Sequence, residues 1–149
     1  MNDRIEKRIE LKASIAKVWQ VLTDHREFGE WFYVNVEGPF ILGQTVRGHL
    51  TYPGYEHLPW EIVVQKIEPE FVFSFTWHPF AVDSKRNYSE ETCTLVEFRL
   101  EKKENGTLLT VTESGFDKLP IDRSQEALRM NLDGWEWQMK NIEAYIEKY

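Results

Sequence analysis

Glu113 is the residue whose sequence surroundings best place it to do chemistry. It closes the second arm of a hairpin, residues 107–113, in which Leu109, Val111 and Glu113 share one face, because successive strand side chains point to opposite sides. A carboxyl group turned inward beside two aliphatic neighbours is costly unless it meets a cation or hydrogen-bond donors. Such a group could anchor a ligand hydroxyl or act as a general acid or base. The alternative is that Glu113 lies near enough to the strand end to reach water, or pairs with a basic helix residue such as Arg129. His78 is the second candidate for catalysis. It heads residues 78–91, a stretch without clear periodicity and longer than most connections in a compact domain. Asp83, Lys85, Arg86 and Tyr88 would give that stretch polar reach over a pocket mouth, unless it is an ordinary solvated crossover.

Other chemistries find no support. His25, His49 and His57 are widely separated and no H-E-x-x-H occurs, so no metal or cofactor is expected. The lone Cys93 cannot form an internal disulfide and has no base partner near it in sequence, and no serine sits in a G-x-S-x-G elbow. The glycines at 38, 43, 48 and 54 are dispersed turn residues without phosphate-loop spacing.

The elements that must position these residues follow from periodicity. Residues 4–11 alternate as a half-solvated strand. Ser14 can cap a helix carrying Ile15, Val18, Trp19 and Leu22 on one face, and Asp24 can cap a second short helix ending near Trp31 and Phe32. Residues 34–37, 45–52 and 60–67 read as strands between turn signals. In residues 71–77, Phe71, Phe73, Phe75 and Trp77 fall on one face. Residues 94–101 pair with 107–113 across Glu104-Asn105-Gly106, where Asn-Gly can supply the positive φ of a tight hairpin. Asp122, with Gln125 three residues on, resembles a capping box. From there to about residue 148, Leu128, Leu132, Trp135, Met139, Ile142 and Ile146 form a stripe along a helix about 40 Å long at ~1.5 Å per residue.

Strand, two helices, six strands and a long helix give an α+β domain spanning residues 1–149, with an antiparallel sheet of six or seven strands wrapped around the last helix. If sheet and helix enclose more volume than their side chains fill, a pocket remains between them. Its strand-side wall would include Trp31, Trp60, Phe73, Phe75, Trp77 and His78, with Phe98, Val111 and Glu113 from the hairpin. Met130, Asn131, Gly134, Trp135 and Gln138 would supply the helix side. The plainer alternative is that these aromatics simply fill the core.

Aromatics are 14% of the 149 residues, with six Trp, and the formal charge is −7. A nucleic-acid backbone would be repelled. No window approaches the roughly 18 apolar residues of a membrane span, and the first twenty residues carry no signal-peptide pattern. A cytoplasmic location is expected.

Val18-Trp19-Gln20-Val21-Leu22-Thr23-Asp24, then Trp31-Phe32, Ile67-Glu68-Pro69, Phe73-Ser74-Phe75-Thr76-Trp77, Thr112-Glu113-Ser114-Gly115-Phe116 and Gly134-Trp135 occur in an order and spacing that resembles the START-like (SRPBCC) superfamily. Within it the chain is similar to the AHSA-like branch, named after activators of a heat-shock chaperone ATPase. The resemblance covers roughly residues 5–146. It implies a helix-grip fold with a cavity under the C-terminal helix, used by different members for lipids, polyketides, plant hormones or aromatic compounds. Glu113 departs from the family pattern, in which His commonly precedes Ser-Gly-Phe. The function expected from this is binding of a small hydrophobic or aromatic molecule. The alternatives are a co-chaperone-like module in stress response, with a chaperone as partner, and a cyclase- or hydrolase-type enzyme using Glu113.

Overall fold

The computed structural model describes residues 4–79, 87–88 and 90–149. Strand β1 (Arg4–Leu11) is followed by helices α1 (Ile15–Thr23) and α2 (His25–Phe32). Strands β2 (Val34–Val36), β3 (Thr45–Leu50), β4 (Pro59–Glu68), β5 (Val72–Trp77), β6 (Thr94–Lys103) and β7 (Gly106–Ser114) come next. A 3-10 turn (Phe116–Lys118) then leads into the long helix α3 (Ile121–Lys148). The strands form one antiparallel sheet in the order β1-β7-β6-β5-β4-β3-β2. A bulge between Val64 and Lys66 interrupts the β4–β5 register. An extra residue on one strand increases local twist, which helps this sheet curve around α3.

Local chemistry fixes the helix pair. The Ser14 hydroxyl accepts from the Lys17 N–H at 3.2 Å. Asp24 ends α1 and caps α2, its Oδ1 accepting from the N–H groups of Arg26 at 2.9 Å and Glu27 at 3.2 Å. Gly29 is required where α2 meets β2, since a Cβ there would lie 2.3 Å from the Val34 carbonyl oxygen. The main core joins Phe28 and Trp31 of α2 to Phe73, Phe75 and Phe98 of the sheet and to Met139, Ile142 and Ile146 of α3.

Four expectations are corrected. Phe71 is exposed rather than on the inward face: Glu70 turns through φ 62 just before it, and the ring lies under the Arg99 guanidinium at 5.7 Å. The β6–β7 turn is centred on Glu104-Asn105, because Lys103 pairs with Gly106, and Asn105 does not adopt positive φ. Gly106 opens β7 at φ 154 instead, where a Cβ would meet the Leu11 carbonyl oxygen of β1. Helix α3 is capped by Pro120 rather than Asp122: the Pro120 carbonyl receives the N–H groups of Arg123 and Ser124, and Asp122 lies in the first turn. Leu132 is exposed, and the buried face runs instead through Arg123, Ser124, Ala127, Trp135 and Gln138 before the aliphatic end. The N-terminal half of that face therefore carries polar side chains, which periodicity of apolar residues alone does not reveal.

Candidate functional site

Glu113 is fully buried at 0% exposure, so neither the solvent-reaching alternative nor a pairing with the exposed Arg129 describes it. The alternation of β7 turns Thr107, Leu109, Val111 and Glu113 inward. Both carboxyl oxygens accept hydrogen bonds. Oε2 accepts from Trp77 Nε1 at 2.8 Å and from the Thr94 hydroxyl at 2.5 Å, while Oε1 accepts from Trp135 Nε1 at 2.8 Å. Asn131 Nδ2 lies 3.0 Å from Oε1 and 3.2 Å from Oε2. Every donor is neutral, and together they come from β5, β6 and α3. Because each oxygen takes one indole, Trp77 and Trp135 are held side by side, centroids 5.9 Å apart and planes 27° from parallel. Glu113 thus ties three adjacent strands to the long helix.

Beyond the paired indoles, helix and sheet do not meet completely. One hollow of about 220 Å³ is lined by Phe32, Tyr33, Leu50 and Tyr52 from the α2 and β3 side, by Trp77 of β5, and by Asn131, Gly134, Trp135, Trp137 and Gln138 from α3. A second, of about 430 Å³, is lined by Leu58, Pro59, Trp60 and Glu61, by His78 and Tyr88, and again by Phe32, Leu50, Trp77 and Asn131. The shared residues make the two hollows neighbours. Their walls are mostly aromatic and aliphatic, as is usual for small-molecule sites.

The residues expected at the pocket divide into four groups. Trp77 and Asn131 line both hollows, Trp60 and His78 the larger one, and Gly134, Trp135 and Gln138 the smaller one. At Gly134 a Cβ would meet nothing within 4 Å, so this glycine leaves open space rather than permitting close packing. By contrast, Trp31, Phe73, Phe75, Phe98 and Val111 are core residues that line neither hollow. Trp31 donates its N–H to the Val21 carbonyl at 3.0 Å, and Phe98 stacks on Phe73 at 6.2 Å. Glu113 stands behind the wall rather than in it. Met130 is 40% exposed and lines neither hollow, because at 3.6 residues per turn it is rotated off the face carried by Ala127, Asn131 and Gln138.

Sequence reasoning missed Tyr33, Leu50, Tyr52 and Trp137. Tyr33 ends α2 in the left-handed conformation, φ 68, and stacks on Trp137 at 5.4 Å, with Tyr52 edge-on to both. The sequence offers no Gly or Asn to signal that turn. These rings are partly exposed and rim the smaller hollow.

His78 Nε2 lies 3.1 Å from the Glu91 carbonyl oxygen and 3.5 Å from Cys93 Sγ. A carbonyl can only accept, so Nε2 carries the proton and is unable to serve as a base toward the thiol. Burial, with a smaller effect of Glu61, pushes the Cys93 thiol up from its ordinary value, so the pair does not have the character of an activated nucleophile. Near the same end, Arg123 of α3 forms a buried ion pair with Glu91 at 2.9 Å, donates to the Pro79 carbonyl at 2.7 Å and lies over the Tyr88 ring at 4.6 Å. This clasp fastens described parts of the 78–91 connection beside the larger hollow. Asp83, Lys85 and Arg86, expected to reach over the mouth, lie outside the described residues. Among the described residues no group of His, Cys, Asp and Glu could hold a metal ion, and no helix is long and apolar enough to cross a membrane.

The fold recurs among solved structures. A protein of Mesorhizobium loti superposes with a TM-score of 0.77 at 19% identity, covering 97% of both chains. The Aha1 dimer of Colwellia psychrerythraea gives 0.72 at 21% identity, over 97% of this chain and 96% of that one. DynU16, encoded in the dynemicin biosynthetic locus, gives 0.73 at 20% identity, over 99% of this chain but 48% of its own. No curated protein is a significant match in sequence. The family described as Activator of Hsp90 ATPase homolog 1-like protein matches residues 12–147. With the seven-stranded sheet gripping a long C-terminal helix, that match places this chain in the AHSA-like family of START-like proteins.

Proposed function

We propose that the chain binds a small hydrophobic or aromatic molecule, of lipid or polyketide-like size and character, in the paired hollows under α3. The observation that supports this best is the hollow pair itself, about 220 and 430 Å³, framed by Trp60, Trp77 and Trp135 at a place where a glycine leaves α3 bare. Maintaining unfilled space costs packing energy, and an apolar guest would offset it. On this reading Glu113 is a positioning residue that sets Trp77 and Trp135. A cyclase or hydrolase role for Glu113 is less well supported, since a group with both oxygens accepting is not poised to exchange a proton with a guest it does not face.

A second reading is favoured by the cluster of Tyr33, Tyr52 and Trp137, in mutual ring contact, with Tyr55 against Tyr52, all partly exposed. As a co-chaperone-like module the chain would use this rim to touch a chaperone in a stress response. Both readings are tested with one preparation. Under the ligand reading, a guest at a hundredfold excess over its Kd raises Tm by about 5–10 °C, and native mass spectrometry finds a retained small molecule. A diverse library of lipids and aromatic natural products giving no shift and no quenching of Trp fluorescence overturns it. Enrichment of a chaperone by the wild-type chain but not by Trp137→Ala supports the second reading.

A further inference from the structure

Among the described residues that line the hollows, two carry side-chain amides, and they are engaged to different extents. Gln138, in the smaller hollow, is held at both ends: Nε2 donates to the Phe32 carbonyl at 2.9 Å, and Oε1 accepts from Asn141 Nδ2 at 3.1 Å. Asn131 lines both hollows and is held at one end only. Its Nδ2 lies 3.0 and 3.2 Å from the two Glu113 oxygens. The flipped amide would set oxygen against oxygen, so this orientation is fixed. Glu113 stands behind the wall, and the two branches of a planar amide diverge. With Nδ2 turned back to the carboxylate, Oδ1 is the branch left on the side of the hollows. It accepts from no donor among the described residues and, unlike the Trp60 nitrogen, it is not sealed from solvent. Donation to a carboxylate polarises the amide and makes its oxygen the better acceptor. Phe32, Leu50 and Trp77, which also line both hollows, supply rings and methyl groups around it.

We propose that the guest is an uncharged, ring-bearing hydroxyl compound, a phenol or an alcohol, whose O–H donates to Asn131 Oδ1 and whose rings lie against Phe32 and Trp77. This rests on the ligand-binding reading above and narrows it. Asn131 anchors the hydroxyl, and Glu113 acts through it by holding the amide. One acceptor matches one donor. A hydroxyl brings a single O–H, whereas an ammonium brings three donors, and each donor left against carbon costs its lost hydration. A ketone or ether would bring a second acceptor to Oδ1 with no proton between them. A site built to hydrogen-bond a hydroxyl discriminates against the analogue that lacks it.

The test compares 2-naphthol with 2-methylnaphthalene, which share one ring system and differ by a hydroxyl in place of a methyl group. Each is titrated by calorimetry against the wild-type chain and Asn131→Leu, a substitution of similar size that removes the acceptor. The methyl compound gains more from leaving water in either protein, so the readout is the ratio of the two affinities. That ratio should favour 2-naphthol about tenfold more in the wild type than in the variant. In carbon-13-labelled wild type, the Asn131 side-chain carbonyl should resonate at higher chemical shift with 2-naphthol bound than with 2-methylnaphthalene bound. The shared rings make their ring-current contributions alike, and this measurement decides the matter even if the variant does not fold. Ratios that agree within about twofold between the two proteins, coincident carbonyl shifts, or binding of 2-methylnaphthalene alone by the wild type overturns the hydroxyl inference and leaves the ligand-binding reading standing. Failure of both probes to bind the wild type at their solubility limit removes that reading for ring compounds, and this inference falls with it.

Discussion

The network around Glu113, behind the wall of both hollows, and the Trp60 indole in the wall of the larger one treat buried polar atoms in opposite ways. At Glu113, a group that would be very costly alone is matched by donors from two tryptophans, a threonine and an asparagine. At Trp60, a single buried N–H has no acceptor among the described residues. A satisfied polar network rigidifies the structure that contains it, whereas an unsatisfied buried donor leaves the cost of its desolvation uncompensated. The difference separates a region held by polar contacts from one held by packing alone.

The largest effect should come from removing the centre of the satisfied network. Glu113→Leu strands four donors at once and should lower stability by about 4 kcal/mol, read as a shift in the urea midpoint at unchanged m. Glu113→Gln should be milder, about 1–2 kcal/mol, because Thr94 can reverse its hydroxyl to accept from the new amide while one indole loses its acceptor. Should Glu113→Leu fold as well as the wild type but lose ligand affinity, the network would serve binding rather than hold the fold.

The tryptophans give a sharper contrast of smaller size. Trp77→Phe removes an N–H that Glu113 accepts and should cost about 2 kcal/mol, while Trp60→Phe removes an orphan and should cost less than about 1 kcal/mol despite similar lost volume. Thermal unfolding of the pair measures the difference directly. Equal costs would mean that Trp60 Nε1 has a partner after all.

Much of this arrangement could be read from residue order, and the rest could not, for physical reasons. Hairpin alternation was sufficient to turn Glu113 inward, Ser14 and Asp24 announced their helices, and the succession of elements implied a sheet around α3. Alternation assigns a face but not a depth. It could not tell that Phe73, Phe75 and Phe98 lie in solid core while Trp60 and Trp77 border space. Nor could it find Asn131 and Trp135 as partners of Glu113, since those contacts join residues 18 and 22 positions away through the packing of α3, or Thr94, which meets Glu113 diagonally across the β6–β7 pair. The rim was least legible, because Tyr33 reaches it through a left-handed turn that no local signal marks.

Gly134 provides a gain rather than a loss. Its helix interior position costs roughly 0.5–1 kcal/mol relative to Ala, and nothing occupies the space a Cβ would enter. Gly134→Ala should therefore raise stability by about that amount in urea titration. Gly134→Leu should project into the smaller hollow and abolish ligand-induced thermal shifts while the fold persists. A destabilising Gly134→Ala would mean that the open space is closed in solution.

The smallest effect belongs to the far end of α3, away from the two hollows, where the comparison predicts only local consequences. The Tyr145 hydroxyl donates to Glu27 at 2.9 Å, joining α3 to α2. Desolvation, reinforced by the Glu27 hydrogen bond and charge, pushes the phenol well above its ordinary value. The folded chain therefore keeps a proton at a pH where the unfolded chain has lost it, and stability linked to this group is complete below about pH 10 and declines as the pH rises above it. Tyr145→Phe should flatten that alkaline decline in denaturation midpoints measured between about pH 9 and 11, while leaving ligand binding unchanged. If the variant instead altered binding, the two ends of α3 would be coupled, and the separation of a region held by polar contacts from one held by packing would no longer describe the molecule.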